Sequence, residues 1–203
     1  MGNKITLLLL TLVLTVSISG AATLQIDPGQ TEIQFSVKHL VFLMAQGHFT
    51  DFTGSIQANP ENKTLSTAEA TIQADSVDTQ SEKRDNYLRS QSFLDVQNYP
   101  TIHFKSKQVT GSGDTITLTG EITIKGITRD IILQGSFVEA THGPQGELHI
   151  RFAATGTITR ADFNLNQNKS TEFMLGDKIQ IRLNVEATAP IVQPTVATKS
   201  VPE

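Results

Sequence analysis

The sequence predicts an all-β fold: a single antiparallel β-barrel of about eight strands with one short helical insertion. Three observations lead there. Apolar and polar residues alternate at period two through most of residues 31–187, as in strands with one buried face. Tight-turn signals separate the runs, and short connections favour antiparallel neighbours. Glycines stand inside the strands at Gly47, Gly54, Gly120, Gly135 and Gly156, where they weaken a flat sheet but permit bends at barrel corners. A long sheet with one apolar face folds over as a sandwich or closes as a barrel, and the glycines favour closure.

In the first strand, Thr31 to His39, the residues Ile33, Phe35, Val37 and His39 share one face, and Glu32, Gln34, Ser36 and Lys38 the other. The apolar run Leu40 to Met44 is too short for a globular helix and reads as a turn or loop that stays covered. Gln46 to Ala58 forms a second strand whose parity slips between Phe49 and Phe52. A β-bulge there would turn both rings inward and bend the strand. After the turn Asn59–Lys63, the third strand, Ala68 to Val77, sets Ala68, Ala70, Ile72 and Ala74 on its apolar face. Three alanines fill little space, so that face meets bulky partners or borders a void.

Residues Asp78 to Ser106 break the rhythm. Ser81 is placed to cap a helix over Glu82 to Arg89, with Leu88 as its apolar anchor. Phe93 and Leu94 add bulk behind it, and Tyr99-Pro100 stops any continuation. One helical turn between strands, backed by aromatics, suits a flap over one end of a barrel. Alternation resumes in Thr101 to Val109, with Ile102 and Phe104 inward, and Gly111-Ser112-Gly113-Asp114 is a hairpin turn. Thr115 to Ile124 places Ile116, Leu118, Gly120, Ile122 and Ile124 in phase, and Lys125-Gly126 turns the chain. Ile131, Leu133, Gly135 and Phe137 are in phase within Thr128 to Ala140. After Gly143-Pro144-Gln145-Gly146, Leu148, Ile150, Phe152, Ala154, Gly156 and Ile158 share a face of Glu147 to Arg160. The last strand alternates Ile179, Ile181, Leu183, Val185 and Ala187 with polar residues. A barrel of this size is filled by its own side chains or holds one small ligand, and inward alanine and glycine favour the ligand.

The two ends lie outside this domain. Lys4, the apolar run Ile5 to Val16 and the small residues up to Ala22 have the layout of a secretory signal peptide, residues 1–22, cleaved after Ala21 or Ala22. The apolar run falls short of the roughly 20 residues of a spanning helix, so no stable membrane insertion follows cleavage. Residues 189–203 are rich in Pro and Thr without period and read as a disordered tail, leaving residues 23–188 as one domain. The chain has no cysteine, which is compatible with a periplasmic or secreted location and leaves packing alone to hold the fold. A net charge of −4 without a basic stripe argues against nucleic acid as a partner.

Catalytic templates are missing: there is no cysteine nucleophile and no Gly-x-Ser-x-Gly elbow. Asp75, Asp78, Glu82 and Asp85 are explained as a solvated turn and first helical turn. His48, His103, His142 and His149 show no ligand-like spacing to one another or to a carboxylate, so neither a metal nor a cofactor is expected. His39 is a structural histidine at a strand end or a hydrogen-bonding group at a cavity mouth. Arg84, Arg89 and Arg160 are ordinary surface and strand-end charges, or a rim cluster facing a phosphate or hydroxyl head, with Tyr87 beside them.

Five blocks together resemble the YceI-like family of exported lipid-binding proteins. They are Ile33-Gln34-Phe35-Ser36-Val37-Lys38-His39-Leu40; Gly47-His48-Phe49 with Phe52-Thr53-Gly54; Ser76-Val77-Asp78-Thr79 with Arg84-Asp85; Phe93-Leu94-Asp95 with Tyr99 to Phe104; and Gly120 to Thr128. The resemblance spans about Leu24 to Ala187 and implies a lipocalin-like antiparallel barrel with a long apolar cavity for a polyisoprenoid or another long-chain amphiphile. The chain departs from the family pattern at Tyr87, where a His is common, at Leu94, where a Phe is common, and at Asn164, where a Gly is common. The residues expected to meet such a chain are Phe35, Val37, His39, Phe49, Ile72, Ala74, Leu88, Phe93, Phe104, Ile122, Ile124, Phe152, Ile158 and Phe163. Arg84, Tyr87, Arg89 and Arg160 are expected at the head-group rim, and Phe173 in the core. The reading is therefore a non-catalytic carrier of a long apolar ligand, against a solid barrel used for protein contacts or an enzyme acting on a bound amphiphile. A homodimer through an open edge is compatible with the sequence and not required by it.

Overall fold

A computed structural model describes residues 21–39, 43–165 and 175–189. Its strands are β1 (Ala22–Ile26), β2 (Glu32–His39), β3 (Leu43–Phe49), β4 (Phe52–Asn59), β5 (Thr64–Gln73), β6 (Val77–Asp78), β7 (Thr101–Ser112), β8 (Thr115–Ile124), β9 (Ile127–His142), β10 (Leu148–Thr159) and β11 (Leu175–Ala189). The α-helix α1 (Glu82–Arg89) follows β6. These strands form an eight-stranded ring, because the first three wall strands are each broken once. β1 and β2 both pair with β11; β3 and β4 pair with β2 and β1; β5 and β6 pair with β4 and β3. β7 to β11 complete an antiparallel meander in chain order, and Ile26 opposite Ala187 closes the barrel.

The break expected between Phe49 and Phe52 is present, and its neighbour breaks with it. Opposite Thr50-Asp51, the chain makes a 3-10 turn over Ala74–Ser76. Thr50 N donates to Ser76 O at 3.2 Å, and Gln73 N donates to Asp51 O at 2.9 Å. Paired irregularities bend both strands without leaving the ladder unsatisfied. Phe52 is buried, and Phe49 packs against the same core.

Four expectations need correction. β1 is not expected from the sequence, because its five residues show little alternation. The third wall strand begins at Thr64, earlier than Ala68, and is interrupted at Ala74–Ser76. Leu43 and Met44 do not belong to a covered loop: they open β3 and are 58% and 45% exposed. Ser81 holds the N-cap position of α1, but its side chain makes no cap bond. Residues 1–20, Leu40 to Phe42, Phe173 and residues 190–203 lie outside the described residues.

The two ends of the barrel differ. At one, the β7–β8 turn sits on its neighbours: Gly113 N donates to Lys63 O at 2.9 Å, and Phe137 N donates to Gly113 O at 2.7 Å. Beneath it, Leu24, Ala58, Ile116, Ile150 and Ala187 are wholly buried and form a packed plug. The other end carries α1, the 3-10 turn Arg160–Phe163 and the start of β3. Here β6 pairs with β3 at only two positions, so most of the β3 edge faces the α1 side unpaired by a strand among the described residues.

Candidate ligand cavity

Above the plug the barrel is hollow. A cavity of about 580 Å³ is floored by Ile56, Leu65, Leu118 and Val185 and walled by Phe35, Val37, Ile72, Phe104, Ile122, Phe152, Ile179 and Ile181, among others. Its volume falls within the roughly 300–1,000 Å³ of small-molecule sites. On β11 alone its lining runs from Val185 to Leu175. With strand rise and barrel tilt, that reach is roughly 25 Å along the axis. The space is thus an apolar tunnel elongated along the barrel axis.

Small residues make the room. Ala68 and Ala70 line the cavity from β5. Opposite Phe35, Gly47 has no side chain: a Cβ there would stand 2.5 Å from Phe35 Cζ and 2.7 Å from Thr79 Cγ2. Phe35 can therefore lie flat on the wall, with Phe49 5.6 Å away in a tilted pair.

The mouth lies at the α1 end. Leu43, Met44 and Tyr87 line the cavity while remaining exposed, so the tunnel reaches solvent between the start of β3 and α1. Tyr87 also stacks at a tilt on Phe93, with ring centroids 6.1 Å apart. α1 is moored by hydrogen bonds to the wall. Asp85 Oδ1 accepts from Thr79 N at 2.9 Å and from Thr79 Oγ1 at 2.5 Å. Arg84 donates from Nε to Thr79 Oγ1 and from Nη2 to Thr79 O, both at 2.7 Å. Arg89 donates from Nε to Asp75 O and from Nη2 to Val77 O, again at 2.7 Å. Asp85 is therefore buried and structural, a correction to its reading as part of a solvated turn.

Of the residues expected to meet a ligand, Phe35, Val37, Phe49, Ile72, Leu88, Phe93, Phe104, Ile122, Ile124, Phe152 and Ile158 line the cavity. Ala74 and Phe163 are buried but pack away from it. Ala74 sits in the 3-10 turn, which rotates it off the inward phase; Phe163 lies in the turn after β10. His39 ends β2, and its side chain lies outside the described residues. At the rim, Arg84, Tyr87 and Arg160 line the cavity, whereas Arg89 clamps the backbone of Asp75 and Val77 instead. Arg160 is only 3% exposed and donates to Leu165 O and Leu175 O, each at 3.3 Å, tying the end of β10 to the start of β11.

Sequence reasoning missed Thr79, Leu43 and Met44. A loop residue such as Thr79 shows no periodicity; its place in the Ser76–Thr79 block was the only signal. Ile179, Ile181, Leu183 and Val185 were legible as an inward face and also line the tunnel.

His149 is a further correction, since it does meet carboxylates. Its Nδ1 lies 3.2 Å from Glu186 Oε1 and its Nε2 3.4 Å from Glu147 Oε1. The bond to Glu186, then that to Glu147, raises the imidazole pKa above its ordinary value. Among the described residues no cluster suits a metal ion, and no helix is long and apolar enough to cross a membrane.

Fold and site together define a closed eight-stranded antiparallel barrel with an apolar tunnel, open at a helix-covered end. The sequence matches the YceI-like domain over residues 24–187, and the chain belongs to that family. A UPF0312 protein from Pectobacterium atrosepticum is 36% identical over 133 residues, covering 66% of this chain and 69% of its own. Another, from Yersinia pestis, is 32% identical over 177 residues, covering 86% and 91%. The crystal structure of the Campylobacter jejuni YceI protein superposes with a TM-score of 0.70 at 30% identity, covering 76% of this chain and 90% of that one. A polyisoprenoid binding domain from Saccharophagus degradans, implicated in plant cell wall breakdown, shares the fold with a TM-score of 0.62 at 13% identity, covering 84% and 99%.

Proposed function

We propose that this protein is an exported, non-catalytic carrier that holds one long apolar chain, polyisoprenoid-like, inside its barrel. The tunnel carries the reading: it is long and apolar, and it has an exposed mouth. Each methylene moved from water into such a wall contributes about 0.8 kcal/mol, so a dozen carbons supply roughly 10 kcal/mol before ordering costs. An empty tunnel would forfeit those contacts. The polyisoprenoid binding domain of the same fold supports the ligand class. Export rests on the leader pattern of residues 1–22. Cleavage after Ala21 would leave β1 whole, since Ala22 pairs with Ala58.

Native mass spectrometry of the purified protein, followed by organic extraction, tests the carrier. A co-purifying lipid of defined mass is the expected result. Its absence, with no uptake of an apolar fluorescent probe, would return the barrel to a role in protein contacts; turnover of a bound amphiphile would make it an enzyme. Cell fractionation with N-terminal sequencing tests export, and an uncleaved cytoplasmic chain would refute it.

A further inference from the structure

Resting on the carrier reading, we infer that Lys125 latches the segment Ser81–Leu94 over the helix-covered end, and that opening this latch admits and releases the ligand. The segment lies where the wall is incomplete, since β6 pairs with β3 at only two positions. Its Tyr87, Leu88, Phe93 and Leu94 line the tunnel, so lifting it opens the tunnel along its side. Two left-handed residues bracket it, Gln80 at φ 61° and Asp95 at φ 53°. Among the described residues, four of the five non-glycine residues with positive φ stand at this end, the other two being Lys125 and Asn164. L-residues adopt that conformation at a cost, and such strain collects at clamps and hinges.

Lys125 is the sharpest case. Ile124 pairs with Ile127, and Lys125 and Gly126 between them have φ 52° and 72°, which makes the β8–β9 connection a type I′ turn. That turn favours Asn or Asp before Gly, so lysine brings it no local gain. What lysine brings is reach: its Nζ donates to Gln91 O at 2.8 Å and to Asn164 O at 3.4 Å. The same turn receives the ring of Tyr99 where Gly126 is bare, since a Cβ there would stand 2.6 Å from Tyr99 Cε1. Arg84, Asp85 and Arg89 moor the segment to Asp75, Val77 and Thr79, in the chain that leads into it. Lys125 instead reaches in from another part of the wall and joins the segment to the turn after β10. Its bond to Gln91 O is exposed, so water can take its place at small cost, as a latch requires.

The test measures release of an apolar fluorescent probe from the full chain, with amide hydrogen exchange as a second readout. The Thr79 N–H, bonded to Asp85 Oδ1 across the Gln80 hinge, reports whether the segment is down. Lys125→Asn gives the turn its preferred Asn-Gly pair while removing the ammonium, so the barrel should fold as stably as before. The variant should release the probe about three- to tenfold faster, the worth of one exposed hydrogen bond. Exchange at Thr79 should rise with it, while the β8–β9 ladder stays as protected as in the wild type. Lys125→Arg, which keeps a charged donor, should restore both. An unchanged release rate in Lys125→Asn would overturn the inference and leave the carrier intact. So would faster release with faster exchange throughout the barrel, which would make Lys125 a general support of the fold. If the wild type takes up no probe, the carrier reading fails and the latch falls with it.

Discussion

Thr79 and Asp85 lie six residues apart and bond each other twice, backbone N–H and side-chain hydroxyl of Thr79 both meeting Asp85 Oδ1. This pair of hydrogen bonds joins the end of the barrel wall to the first turn of α1. The carboxylate is buried, so its removal leaves a buried donor unanswered.

Asp85→Ala should therefore cost about 1–3 kcal/mol of stability, and Thr79→Val about 1 kcal/mol. Urea denaturation of the two single variants and the double variant measures this. Because both act through one contact, the double variant should lose less than the sum of the singles. Strict additivity would show that the pair does not act as a unit.

Arg89 holds two carbonyls of the segment between β5 and α1. Arg89→Ala should loosen the helix-covered end and cost about 2 kcal/mol or less, since part of the side chain is solvent-exposed. The more telling readout is kinetic. Dissociation of a bound apolar probe should accelerate, because the mouth lies beside α1. An unchanged off-rate would mean that the ligand leaves by another route.

Ala68 lines the tunnel from β5 and makes room by its small size. Ala68→Phe should fill part of that space and weaken binding of a long-chain probe at least tenfold. Overpacking of a solid core typically costs about 1–3 kcal/mol, so a midpoint of unfolding near the wild-type value identifies the site as hollow. A large loss of stability with unaltered probe binding would contradict the tunnel.

His149 sits between Glu186 and Glu147 on the outer surface, 28% exposed. Its folded-state pKa is raised, first by Glu186, so its stabilisation is complete below the unfolded value and is lost as pH rises through the folded one. Glu147 is lowered, first by its own backbone N–H, so its stabilisation is present above its unfolded value and fades as pH falls through the folded one. Stability should consequently decline as pH rises through neutrality, and His149→Gln should flatten that slope. The effect is small because solvent screens the pair. Denaturation midpoints across that range in wild type and variant decide it, and parallel curves would remove His149 as the cause.

Alternation is a local property, and the chain wrote it plainly. Phe35 and Val37, Ile122 and Ile124, Phe152 and Ile158 could be assigned to one inward surface because a pleated strand turns every second side chain the same way. The parity slip at Phe49 and Phe52 and the alanines of β5 were legible for the same reason, and the helix anchored by Leu88 was legible because its stretch breaks the alternation. So were the family and a barrel with room inside. What alternation could not reveal was decided by three-dimensional neighbours. Ala74 left the inward phase because the strand beside it broke at Thr50-Asp51 and the two irregularities had to match. Arg89 and Arg84, five residues apart on one short helix, took different tasks because different wall backbone lay within reach of each. Asp85 became a buried anchor because Thr79 folds back over it. Side-chain direction along a strand follows from the backbone alone; the partner a charged side chain finds depends on which distant segment the closed ring brings beside it.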